Sequence, residues 1–210
     1  MSPPRPITQD RIYREIKAKI VSGEFGVAEK LEAPSLARLF GTSVTPVREA
    51  LFRLVGEEFV RTAPNGGFQI QPLTRASLKE MYSLTQALLL MSLSRASRDR
   101  LPAQAKPLRT VGVEETETPE SIGAIFRSVF LLAGNRHIVE IGSRLIDRLA
   151  PVRHVEANVI GGTDAEQAMM LRLSQNSDFG GLRRAVYAYH RRRIVGAAQL
   201  LTELAMQSLD

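Results

Sequence analysis

Cysteine is absent from this 210-residue chain, which excludes disulfides, thiolate metal sites and a cysteine nucleophile. No apolar run is long enough to cross a bilayer. The richest, ALLLMSL at Ala87–Leu93, falls far short of the roughly 20 residues a helical span needs. The amino terminus, MSPPRPITQDR, lacks the apolar stretch of a signal peptide, so a cytoplasmic protein with no membrane partner is expected. No internal repeat is visible. The only low-complexity hint is the proline-rich SPPRP, expected to be disordered. Glycine (15) and proline (11) are not over-represented, which excludes fibrous and linker-like chains.

What is present is an ordinary globular composition with a basic lean. A 44% hydrophobic content can bury a core in one domain, or in a small domain plus a larger one. The net charge of +6 and a pI near 10 point towards an anionic partner, although such a balance can also simply aid solubility.

Ile12, Ile16 and Ile20 fall at helical spacing, with Arg14, Lys17 and Lys19 on the other side, so Ile12 to Val21 is predicted helical and closed by Gly23. KLEA follows as a short extended piece. Pro34 and Ser35 suit a helix start before LARLF, and Gly41 supplies a turn. A second helix is predicted from Thr45 or Pro46 to about Val55, with Val47, Leu51 and Leu54 as its buried stripe. Phe59–Thr62 and Phe68–Gln71 read as strands, joined by a hairpin signal at Asn65-Gly66. The order helix, strand, helix, turn, helix, hairpin is that of a winged helix-turn-helix filling residues 7–73.

From Thr74 strand signals vanish, and helices are predicted at about 74–98, 118–133, 135–150, 164–176 and 179–208. The first two are separated by a stretch with prolines and an acidic cluster near Glu114, expected to be a solvated loop. Gly134 suits a helix end and Asn135 the cap of the next. The expected fold is therefore mainly α: an amino-terminal winged helix-turn-helix, residues 1–73, followed by an all-α bundle, residues 74–210.

The chemistry lies in GTSVTPVREAL, residues 41–51. In a helix-turn-helix the second helix enters the major groove and presents its amino-terminal residues to base edges. Ser43 and Thr45 stand where hydroxyls can cap that helix and reach phosphates. Pro46 fixes the entry angle. Arg48 lies three residues after Thr45, on one face with it, and can bond a guanine edge or a phosphate. Glu49 is placed to orient Arg53 at i, i+4. The alternative is an ordinary capped surface helix, which the flanking LARLFG and PNGG make the weaker account.

The stretch SLARLFGTSVTPVREALFRLVGEEFVRTAPNGGFQI resembles the DNA-binding domain of the GntR family of bacterial transcription regulators. The later helices resemble the FadR-type carboxy-terminal sensing domain, FCD. The resemblance implies a homodimer held by the helical domains, binding a short palindromic operator on double-stranded DNA and responding to a small metabolite. A metabolite-responsive repressor is the expected role. The implied DNA-contacting positions are Ser43, Val44, Thr45, Arg48, Arg53, Asn65, Gly66 and Gly67.

Several positions depart from the family pattern. The usual Ser-Arg-Thr-Pro is Ser43-Val44-Thr45-Pro46, so a common base-reading arginine is a valine, which can meet a thymine methyl but cannot read guanine. Another arginine falls on Pro34, and the one beside the wing glycine on Gly66. Many relatives bind a metal in the sensing domain through an aspartate and three histidines; the corresponding positions are Gly123, Arg127, Arg183 and Ala205. The three histidines present, His137, His154 and His190, have no Asp or His at i+3 or i+4, so no metal site and no cofactor are expected. Arg127, perched among apolar neighbours, either joins Arg183 as the cationic receptor of a carboxylate effector or bridges to an acidic side chain or a dimer partner. Thr85 and Leu89, after Tyr82, replace an arginine and a glutamate, which together with ALLLMSL makes the pocket region more apolar; the stripe is read as plain core or dimer interface, with an apolar effector or none as the alternative. YHRRR, Tyr189–Arg193, is expected to be a solvated helix face rather than a second nucleic-acid surface. No nucleophile elbow, phosphate loop, zincin or dinucleotide motif occurs, so an enzyme is the weak rival. An effector-blind DNA-binding protein is the stronger one.

Overall fold

The computed structural model describes residues 6–64, 66–98 and 119–207. The chain forms two compact units. One runs to Leu73 and also takes in the chain from Leu204; the other covers Thr74–Glu203.

The first unit is built from α1 (Pro6–Val21), β1 (Lys30–Leu31), α2 (Ala33–Leu39), α3 (Val44–Gly56), β2 (Val60–Thr62) and β3 (Phe68–Ile70). Ile12, Ile16 and Ile20 line one stripe of α1 and are buried against Leu36 and Ala37 of α2 and Val47, Leu51 and Leu54 of α3. The strands form an antiparallel sheet in the order β1-β3-β2, with Leu31 and Thr62 both opposite Phe68. Helix α1 starts earlier than its apolar pattern indicates, at Pro6. Its added turn is tied to α3 by polar bonds, Gln9 to Glu49 and Arg53 to Asp10, which hydrophobic periodicity does not register. Of the SPPRP run, Pro6 thus belongs to a helix, and the rest lies outside the described residues.

The second unit is helical: α4 (Arg75–Arg98), α5 (Pro119–Leu131), α6 (Arg136–His154), α7 (Glu156–Val159), α8 (Thr163–Gln175), α9 (Phe179–Val195) and the greater part of α10 (Ala197–Gln207). Thr74 and Ser77 cap the start of α4 reciprocally, each hydroxyl accepting from the other's backbone N–H at 2.9–3.0 Å. Asn135 caps α6 as its sequence indicates, accepting from the N–H of His137 and Ile138. Helix α4 packs along α9 and α5 along α6. The second pair comes close because residue 142 is glycine: a Cβ there would lie 2.3 Å from Phe130. The acidic cluster near Glu114 lies outside the described residues.

Three boundaries differ from the sequence pattern. Helix α6 continues through Pro151 to His154, so His154 ends a helix instead of sitting in a loop. A short α7 follows it. The helical segment expected over 179–208 is divided at Gly196, where the chain turns between α9 and α10; glycine carries a helix-propensity cost of about 1 kcal/mol.

Candidate nucleic-acid interface and the centre of the helical unit

Helix α3 begins at Val44, so Thr45 is its second residue and Pro46 its third. Ser43 holds the capping position with an extended backbone, yet its hydroxyl makes no capping bond. The capping role expected of Ser43 and Thr45 is therefore not taken up among the described residues. Both side chains are exposed, as is Val44, while Pro46 and Val47 turn inward. The helix is aimed by its buried stripe and its proline, which leaves the first-turn hydroxyls available to an outside acceptor.

Arg48 is exposed and makes no hydrogen bond or ion pair among the described residues. It lines a cleft of about 490 Å³ together with Lys30, Pro34, Gly66, Gly67 and Gln69. The cleft thus joins α3, the start of α2 and the β2–β3 hairpin. The hairpin is closed by Ala63 N–H to Gly67 O at 3.1 Å and Gly66 N–H to Ala63 O at 3.0 Å. Gly66 and Gly67 have φ of 81° and 83°, a region L side chains seldom occupy, so the wing tip offers bare backbone. Asn65 lies outside the described residues.

Arg53 is not with this group. It bonds Asp10 at 3.0 Å, approaches Glu57 at 3.7 Å and lies 3.7 Å over the Tyr13 ring, which fixes it towards α1. Glu49 takes Gln9 as its donor, so the expected Glu49–Arg53 pair is replaced by two contacts to α1. Two cations were missed from the sequence. Lys30 enters the cleft where Pro34 leaves the family's arginine absent. Arg61 is held on the wing by Gln69 Oε1 at 2.7 and 3.0 Å. Only the cross-strand register Arg61↔Gln69 would have revealed the second.

In the helical unit, Arg127 pairs with Asp147 at 2.5 Å and donates to Ser143 O at 3.3 Å, which is the acidic bridge among its two expected roles. Arg183 is exposed and donates to Ser94 Oγ at 2.9 Å. No partner is shared between them. Nor do the residues at the implied metal positions fit a metal. Gly123 offers no ligand, and a Cβ there would lie 3.7 Å from the guanidinium of Arg153, a cation that would repel another. Among the described residues no group of three His, Asp or Glu side chains is placed to hold an ion. His137 does have an acidic neighbour overlooked in the sequence, Glu140 at 3.6 Å.

The centre of this unit carries buried charge beside the apolar stripe of α4, whose Thr85 and Leu89 are core. Arg193 of α9 is 1% exposed and bonds Glu156 at 2.7 Å and Glu166 at 2.6 Å, with its guanidinium 3.4 Å over the Tyr189 ring. Tyr82 donates to Glu156 at 2.9 Å and Tyr189 does so at 3.3 Å. Thr85 donates to Met81 O, and Leu89 is core. Burial opposes the charge on Arg193, but Tyr189 and Glu156 hold its pKa above the ordinary value. Burial, aided by the Glu156 charge, raises Tyr82 well above the ordinary phenol. His190, also buried, stacks on Phe126 and is pushed down to about 3, by burial first, against its bond to Val186 O and with help from Arg193 and Arg153.

YHRRR is therefore not a solvated face. Tyr189, His190 and Arg193 are buried, and only Arg191 is fully outward. The signal was available: Arg193 continues the stripe Leu182, Val186, Tyr189 at helical spacing. Its carboxylate partners come from α7 and α8, too far along the chain for any motif to join them.

Residues 8–70 match the model of the family described as bacterial regulatory proteins, gntR family. The chain is 26% identical over 138 residues to the uncharacterized HTH-type transcriptional regulator YdhC of Bacillus subtilis, covering 61% of this chain and 62% of that protein. It is 25% identical over 153 residues to the HTH-type transcriptional regulator McbR of Escherichia coli, covering 69% of each. Among solved structures, E. coli McbR/YncC superposes with a TM-score of 0.66 at 20% identity, over 91% of this chain and 97% of that one. A putative transcriptional regulator GntR from Rhodococcus sp. RHA1 gives 0.68 at 17% identity, over 93% and 98%. At these identities the structural likeness bears on the fold alone.

Proposed function

We propose that the chain, whose residues 8–70 match the gntR-family model, is a GntR-type DNA-binding transcriptional regulator that works as a metabolite-responsive repressor of the FCD type. In this reading residues 1–73 bind DNA and residues 74–210 sense the effector and hold a cytoplasmic homodimer on a short palindromic operator. The observation that carries the DNA-contacting assignment is Arg48: an exposed guanidinium without a partner among the described residues, facing a cleft shared with the wing. Ser43, Val44 and Thr45 are exposed beside it at the start of α3, and Lys30 adds charge to the cleft wall. A helix placed this way sends Arg48 and the first-turn residues to base edges and leaves the bare wing backbone to phosphates or the minor groove.

Val44 makes the operator less dependent on guanine than in relatives with arginine at that position, because valine offers only an apolar contact. Selection of bound sites from random DNA tests both statements. A palindrome that tolerates any base opposite Val44 is expected. An essential guanine there would refute the Val44 assignment, and the absence of any enriched palindrome would refute the operator-bound homodimer.

A further inference from the structure

The small sheet of the first unit carries a basic row that the hairpin tip does not explain. Lys30 of β1 pairs with Gln69 of β3, and Gln69 pairs with Arg61 of β2. Residues directly opposite one another share a face of a sheet, so these three form one line across all three strands. One residue along, Leu31 and Phe68 turn into the core. Lys30, Gln69 and Arg61 therefore stand on the outer face, and both cations are exposed.

Gln69 is fixed from both ends. Its Oε1 accepts from Nε and Nη2 of Arg61 at 3.0 and 2.7 Å, and its Nε2 donates to Ala28 O. A guanidinium only donates and a carbonyl only accepts, so the amide can stand in this orientation alone. Arg53, Arg127 and Arg193 are instead held by carboxylates. An amide orients the guanidinium without cancelling its charge. Nη1 of Arg61 and the ammonium of Lys30 make no bond among the described residues. Glu32 also lines the cleft that holds Arg48, but it forms no ion pair with Lys30 or Arg48 among those residues. Lys30 and Gln69 line that cleft too, whereas Arg61 lies outside it. The row thus begins at the cleft and extends over two inter-strand spacings, about 10 Å.

We propose that this row is a phosphate rail: Lys30 and Arg61 hold a DNA strand beside the bases that Arg48 reads, and Gln69 positions Arg61. The free edge of a planar, permanently charged fork suits a phosphate oxygen. Such contacts set register and affinity but carry no sequence information. The rail rests on the DNA-binding reading above and adds to it a sequence-independent hold from the sheet face, separate from the bare backbone of the wing tip.

Random-sequence duplex DNA is the probe, because binding to it is carried by phosphate contacts. The full chain is titrated by fluorescence anisotropy over a series of sodium chloride concentrations. Each phosphate contact contributes about 0.9 to the slope of log K against log salt. Lys30→Ala and Arg61→Ala are each expected to reduce the slope by about that amount. Gln69→Glu, which cancels the Arg61 charge but leaves the arginine in place, should reduce it similarly. Arg144→Gln, an exposed cation of the helical unit, should leave it unchanged. Site selection with Arg61→Ala should return the sequence that the unaltered chain prefers.

The rail is overturned if either alanine variant keeps the full slope, if Arg144→Gln reduces it equally, or if Arg61→Ala changes the base preference. An unaltered slope in Gln69→Glu overturns the positioning role. Should that variant fail to fold, Gln69→Met decides: Arg61→Ala should cost less affinity in the Met background than alone, and equal costs refute positioning. An unaltered chain that binds no DNA would overturn the regulator reading as well, whereas full slopes in the variants overturn the rail alone.

Discussion

The two units use arginine in opposite ways. In the first, Arg48 reaches solvent with no bond among the described residues, at a cleft edged by exposed hydroxyls and bare wing backbone. In the second, Arg193 is sealed inside the bundle between two carboxylates and a tyrosine ring. An exposed charge contributes little to folding and stays available to a partner. A buried one is worth keeping only while its counter-charges stay in place. Arg53 sits between these extremes, exposed but tied to Asp10 and Tyr13. Exposure and partnership, more than residue type, separate a binding arginine from a structural one.

The contrast can be broken most forcefully at Arg193. Its replacement by alanine strands Glu156 and Glu166, and a loss of about 3–5 kcal/mol in helical-unit stability is expected. Urea denaturation followed by circular dichroism measures it, and a loss under about 1 kcal/mol would mean that the network is not structural. Adding Glu156→Gln to Arg193→Met should recover much of the deficit.

Arg48→Ala should do the reverse. Operator affinity is expected to fall by roughly 10- to 100-fold, the range of about 1–3 kcal/mol for one lost base or phosphate contact, while stability stays within about 0.5 kcal/mol. A gel-shift titration beside a melt separates the two, and a destabilised variant with unchanged DNA affinity would reverse the assignment.

The gentlest probe is pH. His190 is neutral in the folded chain down to about 3 but takes up a proton near 6.5 once unfolded. The unfolded state therefore binds more protons below 6.5, and stability falls as pH drops through that window, by up to about 1.4 kcal/mol per unit. Above 6.5 this contribution is fully present. His190→Leu should flatten that part of the profile; an unaltered slope would show that His190 is not its source.

Much of the first unit was legible because its signals are local. The isoleucine stripe of α1, the Val47–Leu51–Leu54 face of α3 and the wing glycines each follow from spacing within one element. What could not be read were contacts between elements. Arg53 and Glu49 looked like a pair on one helix turn and instead each bond α1. Lys30 carries no motif, yet it shares the cleft with Arg48. In the helical unit YHRRR looked solvated because runs of arginine usually are, and Tyr82, Thr85 and Leu89 suggested an apolar interior. Helical spacing already put Arg193 on the inward stripe, but nothing in the sequence said what would meet it there.

By itself the sequence determined the two-part plan, the helix-turn-helix with its wing, and the valine, Val44, that opens α3. These depend on short-range periodicity, turn chemistry and residue identity, which the chain carries wherever it goes. The tertiary structure decided which arginines are free to bind and which are committed. It paired Arg193 with Glu156 and Glu166, Arg127 with Asp147 and Arg53 with Asp10, and left Arg153 with one backbone bond. Charge pairing in a core depends on side chains brought together from distant elements, and those neighbours exist only once the helices have packed.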